Sequence, residues 1–301
     1  MSRKRQTLDE LRQEIDEIDD ALHDLLMRRA DVTRAVAGIK RPSAGGRAVA
    51  PGGAVAPAVR PAREAQILRR LLARHRGDMP PSVIVRIWRE IIAASLQAQA
   101  KFHLHVFGGE NQNTFFDLAH AYFGALTPIR AHAKSSLVAH ACAEEPDSLG
   151  IVPLPESDDG GAPWWAQLAS AGQPGPRIIA RLPFLNGDES YVAAYVLGSV
   201  EQEPSGDDTT LLRLETAEDL SRARLTSLLK DAGFEATMIA AGHSAEKGQG
   251  STALLAVAGF VAASDPRLAV LRQDAGEQLT NVDLVGGFAN PFAGSPSRDS
   301  Q

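Results

Sequence analysis

The chain has 301 residues, 44% of them apolar and 23% charged, which is enough sequence for two or three hydrophobic cores. No run approaches the ~20 apolar residues that span a bilayer, the single Cys142 excludes an intramolecular disulfide, and no Cys/His set stands at metal-ligand spacing in the sequence. The formal net charge of -6 hides an asymmetry, because residues 1–101 carry 19 Lys/Arg against 12 Asp/Glu and the remainder carries the acidic excess.

The opening "MSRKRQTLDELRQEIDEIDD" is basic but runs into charged amphipathic sequence, so no signal peptide is expected and a reducing cytoplasm fits. Residues 7–40 predict one long helix. Apolar residues fall at 8, 11, 15, 18, 22, 25, 32, 36 and 39, the alternating three- and four-residue steps of a coiled-coil seam. Thr7 and Glu10 have the spacing of a capping box at its start. Pro42, Gly45 and Gly46 end it, and an Ala/Gly/Pro-rich stretch over 41–58 with little to bury follows. A shorter helix is predicted over about 61–76, with Pro61 tolerated in its first turn. A third spans about 81–100, its stripe formed by Val83, Ile84, Ile87, Trp88, Ile91, Ile92 and Leu96. Basic residues here are scattered among apolar ones and aromatics are few, so a small anion is a better partner than nucleic acid.

From Phe102 the pattern becomes short β-rich runs alternating with helices. "FHLHVFGG", "PIRAHA" and "LGIVPLP" read as strands around the helices "NTFFDLAHAYFG" and "SLVAHACAEE", which predicts a small α/β unit with a parallel sheet. "PRIIARLPF" and "YVAAYVLGSV" also read as strands, and "EQEPSGDD" as a linker. Residues 209–284 then read strand, helix, strand, strand, helix, strand, a ferredoxin-like βαββαβ order. The expected organisation is a helical domain at 1–101, an α/β region at 102–203, a βαββαβ module at 207–286 and a disordered tail at 287–301.

Candidate chemistry lies in the helices. The seam of the first helix lands on Arg29 before resuming at Val32, and a guanidinium there is costly to desolvate unless an anion meets it. A buried ion pair, a register-setting residue or a ligand each satisfies that requirement. Lys40 follows eleven residues later, about 16 Å along roughly one face. Arg12 lies about 25 Å of helix before Arg29, too far for the same small ligand unless it arrives from another subunit. Ser95 and Gln99, four residues apart, share one face of the third helix and interrupt its stripe; a frayed polar helix end has the same pattern. Arg63 and Glu64, from the residues alone, read as a surface pair, as most adjacent Arg and Glu do.

Together, "LRQEIDEIDDALHDLLMRRADVTRAVAGIK", "RPAREAQILRRL" and "IVRIWREIIAASLQAQ" resemble the all-helical class of chorismate mutase over about residues 7–100. The resemblance implies an all-α three-helix domain in an intertwined homodimer, with no metal and no cofactor, acting on chorismate. It implies substrate binding by Arg29 and Lys40, by Arg12 across the dimer, by Arg63 and Glu64 of the second helix, the glutamate facing the substrate hydroxyl, and by Ser95 and Gln99. The reaction is a [3,3] rearrangement to prephenate in aromatic amino acid biosynthesis. Arginine forks hold two carboxylates in the reactive conformer, and donors from Lys40 and Gln99 meet charge growing on the ether oxygen. Pro61 and Ala62, where some members place an aspartate before the arginine, and the long 41–58 stretch depart from the family.

Residues 102–203 resemble a prephenate dehydratase region through "FGGENQNTFFDLAHAYFG" and "GIVPLPES", but lack a second lobe and the T-R-F threonine, so a degenerate region without dehydratase activity is expected. Residues 207–286 resemble an ACT regulatory module, with "SRARL" and "AAGH" in place of its phenylalanine-binding signatures; a phenylalanine effector and a scaffold role both stay open. The competing readings are a bifunctional mutase–dehydratase, a non-catalytic aromatic-metabolite-binding regulator and an isochorismate pyruvate-lyase.

Overall fold

The structure is a computed structural model that describes residues 7–40, 58–109, 112–155, 163–186, 192–217, 220–243 and 250–293. The stretch 41–57 and the tail 294–301 lie outside the described residues. The chain divides into two compact units, 1–49 and 50–301.

The first unit is the helix α1, Leu8–Lys40. Its start is the expected reciprocal cap: the Thr7 N–H donates to Glu10 Oε2 at 2.8 Å and the Glu10 N–H to Thr7 Oγ1 at 3.3 Å. The backbone bond from Thr7 holds the Glu10 carboxyl below its ordinary pKa. The predicted seam is intact as a pattern but bare: Leu8, Leu11, Ile15, Ile18, Leu22, Leu25, Val32 and Val36 are all exposed in the single chain.

The second unit begins with two helices, α2 (Pro61–Arg74) and α3 (Pro81–Gln99). Both helices pack against the α/β region that follows them. Ile92 and Leu96 of α3 share a core with Phe102, Phe115 and Phe123, while Ala65 and Leu68 of α2 cover Phe184. An apolar stripe is stabilised by whatever apolar surface it meets, and here that surface is the adjoining α/β region.

That region runs β1 (His103–Phe107), α4 (Gln112–Phe123), β2 (Ile129–His132), α5 (Ser135–Glu144), β3 (Ser148–Pro153), a 3-10 turn at Trp164–Gln167, β4 (Arg177–Leu182), β5 (Leu185–Asn186) and β6 (Ala194–Gly198). β1 pairs parallel with β2 and β3, as expected. β6 runs antiparallel to both β3 and β4, so the sheet is mixed, not parallel. The βαββαβ module follows as β7 (Asp208–Thr216), α6 (Arg222–Asp231), β8 (Ala236–His243), β9 (Ser251–Ala258), α7 (Pro266–Ala275) and β10 (Leu279–Ala289). Its strand order, β10-β7-β9-β8, is antiparallel throughout. Ser221 caps α6 by accepting from the Arg224 N–H. Gly233, at φ +83°, closes that helix, and the Phe234 N–H returns to the Leu229 carbonyl.

Both halves belong to one nine-stranded sheet, order β2-β1-β3-β6-β4-β10-β7-β9-β8. The join between β4 and β10 is a single parallel pair, Ile178 with Gly286. Around it, Trp164, Trp165, Ile178, Leu197, Leu211, Leu254 and Val285 make one buried core spanning the two halves. The expected linker at 201–208 is an ordered turn, with Ser205 Oγ donating to Asp208 Oδ1 at 2.6 Å. The tail expected from 287 is ordered at its start: β10 continues to Ala289, and β11 (Phe292–Ala293) pairs with β5. No described helix is long and apolar enough to cross a membrane.

Candidate functional site

On α1, Arg12 is exposed and its Nη1 lies 3.4 Å from Asp9 Oδ1. Arg29 is partly buried, and desolvation lowers its guanidinium pKa from the ordinary value. Lys40 is the last residue of the helix, and its side chain lies outside the described residues.

On α2 the adjacent Arg63 and Glu64 diverge. Arg63 points to solvent and Glu64 is buried, so they are not a surface pair. Glu64 Oε2 accepts from Arg89 Nη1 of α3 at 2.7 Å, with both side chains under a tenth exposed. The Arg89 guanidinium carbon lies 3.7 Å from the centre of the Tyr122 ring. A carboxylate taken out of water needs a compensating cation, and Arg89 supplies it within the α2–α3 junction.

On α3, Ser95 and Gln99 are both half-buried and on one face, as their spacing requires. Ser95 Oγ donates to the Ile91 carbonyl at 2.8 Å, and Gln99 Nε2 donates to the Ser95 carbonyl at 3.0 Å. The amide is thereby held against its own helix, with the rest of its hydrogen-bonding capacity available to another group.

Two cations that the sequence reading passed over tie α2 in place. Arg60, at the helix N-cap, meets Glu203 with Nη2 3.0 Å from Oε1. Arg69 donates to Ser205 Oγ at 2.9 Å and to the carbonyls of Asp207 at 2.7 Å and Asn290 at 2.9 Å. Their spacing of nine residues carried no signal, because the partners lie more than a hundred residues away. A cleft of about 400 Å³ opens beside that turn, lined by Asp207, Thr209, Gly259, Phe260 and Asn290 among others. None of the expected site residues lines it.

A second polar cluster also escaped the sequence reading. On β1, His103 and His105 project from the same side of the strand, and Glu145 follows the end of α5. His103 Nε2 lies 2.9 Å from Glu145 Oε2 and 3.2 Å from His105 Nε2. His105 Nδ1 lies 2.8 Å from His132 Nε2.

Residues 11–100 match the family described as chorismate mutase type II. No curated protein matches the chain. Among solved structures it is similar to prephenate dehydratase from Streptococcus mutans, at 15% identity over 64% of this chain and 99% of that one, TM-score 0.44. It is also similar to a protein described as GqqA, a novel type of quorum quenching acylases, at 12% identity over 67% and 99%, TM-score 0.41. A third is prephenate dehydratase from Arthrobacter aurescens in complex with L-Phe, at 14% identity over 64% and 93%, TM-score 0.42.

Proposed function

We propose that this chain is a chorismate mutase, converting chorismate to prephenate by a [3,3] rearrangement in which the ether C–O bond breaks as a C–C bond forms. The observation that carries the reading is the match of residues 11–100 to the chorismate mutase type II family. The position of Arg29 supports it: a guanidinium stands partly buried on α1, in line with the apolar seam, where its fork suits a carboxylate.

In this reading Arg29 and Lys40 of one chain, Arg12 of a second copy, and Arg63 hold the two carboxylates. Holding the dianion in its compact, reactive conformer contributes by positioning. Lys40 and Gln99 donate to the ether oxygen as charge grows there, an interaction stronger in the transition state than in the substrate. Ser95 binds substrate beside Gln99. Glu64 faces the substrate hydroxyl, its carboxylate held in place at the α2–α3 junction by Arg89. No metal, cofactor or covalent intermediate enters these steps.

A homodimer completes the site. Its support is the bare seam of α1, where eight apolar residues at seam spacing are exposed in the single chain. The reading further places the enzyme in the cytoplasm, with a degenerate dehydratase-like region and an ACT-like module that is a candidate binder of phenylalanine. The test is loss of chorismate absorbance by purified full-length protein, with the product identified by chromatography. Prephenate is the expected product. Pyruvate release from isochorismate alone, or no turnover of chorismate, refutes the proposal; phenylpyruvate formation from added prephenate refutes the degenerate reading of the second region.

A further inference from the structure

We propose that His103, His105 and Glu145 form a binding site for a divalent transition metal of the zinc type, with His132 fixing the ring of His105 from behind. The three residues are separated by up to 42 positions in the chain, yet their ligand atoms all lie within 4.8 Å of one another. Two imidazoles with one carboxylate are the donor types preferred by zinc and its neighbours over magnesium or calcium.

The geometry fits the size of such an ion. Nitrogens at the usual zinc distance and a tetrahedral angle stand about 3.3 Å apart; His103 Nε2 and His105 Nε2 stand 3.2 Å apart. Glu145 Oε2 is 2.9 Å from the first and Glu145 Oε1 is 3.8 Å from the second, so a small rotation of an exposed carboxylate closes the set. The cluster sits on rigid backbone, since β1 is flanked on both sides by paired strands. Leu104 and Val106 point the other way, into the core against α4, which holds the two histidines on one side of the sheet.

His105 is oriented as metal-binding histidines usually are. With its proton on Nδ1 it donates to His132 Nε2 at 2.8 Å, leaving the Nε2 lone pair aimed at His103 and Glu145. Arg130 Nη1 contacts both Glu145 oxygens at 3.0 Å and opposes a bound cation, while orienting the carboxylate. The site opens to solvent on the His103 and Glu145 side, which leaves a fourth position for water.

The test is a titration of the untagged, chelator-treated full-length chain with Zn²⁺ by calorimetry, and with Co²⁺ by its visible ligand-field bands. One equivalent is expected, with the cobalt spectrum of a tetrahedral N/O site. His103→Ala and Glu145→Gln should each weaken binding at least about tenfold, and His132→Ala by about 10–100-fold. Glu145 is exposed enough for its variant to fold, which far-ultraviolet circular dichroism checks. Absence of binding by the unaltered chain, or binding that His103→Ala and Glu145→Gln leave unchanged, overturns the site. Neither result bears on the mutase reading, whose assay uses different residues.

Discussion

Removing the carboxylate of Glu64 strands Arg89, and the size of the penalty follows from its surroundings. Arg89 is 3% exposed, its Nη1 is bonded to Glu64 at 2.7 Å, and its Nε already has no hydrogen-bond partner. Breaking a buried pair from one side costs about 3–5 kcal/mol because a charge is left uncompensated. In a unit of about 250 residues each kcal/mol moves the melting temperature by roughly 2–4 °C. Glu64→Ala should therefore lower the transition of this unit by roughly 6–20 °C in a thermal scan followed by circular dichroism. Replacing both partners, Glu64→Leu with Arg89→Met, removes the charge and keeps volume against Tyr122, so it should recover most of that loss. A single variant that melts within about 2 °C of the parent, or a double variant no better than the single, refutes the reasoning.

Gln99→Ala should reduce kcat by about 10²–10³-fold if the amide meets the ether oxygen. The parent should hold its rate across pH 6–8, and Gln99→Glu should instead lose rate as pH rises, because only a protonated carboxyl donates; a pH profile separates the two. Gly150→Ala would place a methyl 2.8 Å from Cys142 Sγ and 2.9 Å from Val138 Cγ1, under α5, so a destabilisation of about 1–3 kcal/mol is expected in urea unfolding. Asp265 caps α7 by accepting from the Arg267 N–H at 3.0 Å, and its hydrogen bond with the Arg267 side chain holds its pKa below the ordinary value. Its contribution is present at neutral pH and lost as pH falls below the usual carboxylate range. Asp265→Ala should cost about 0.5–2 kcal/mol at pH 7 and less in acid.

Local signals were the most legible. The Thr7–Glu10 cap, the ends of α2 and α3, and the βαββαβ order all follow from spacing over a few residues. Strand direction did not follow: "RIIARL" and "AYVLG" are as apolar as parallel strands, and alternation carries no arrow. The turn at Trp164–Gln167 escaped because its two buried tryptophans sit among prolines and glycines with no periodicity. In the candidate site, the Ser95–Gln99 face was readable from a four-residue step. The partner of Glu64 lies 25 residues on, and that of His103 lies 42 on, so neither contact existed until the fold made it.

The narrow join of the sheet has an optical consequence. Gly286 meets Ile178 with φ +122°, and an ideal Cβ there would fall 2.1 Å from the Ile178 carbonyl oxygen, so the ladder closes at that point only for glycine. Beyond that one pair, the halves are held by side chains packed around Trp164 and Trp165, two of the three tryptophans in the chain. Any twist of one half against the other changes the surroundings of those two indoles first. The protein thus carries its own fluorophores at the place where its halves would part, and emission wavelength and quenching report on that junction without a label.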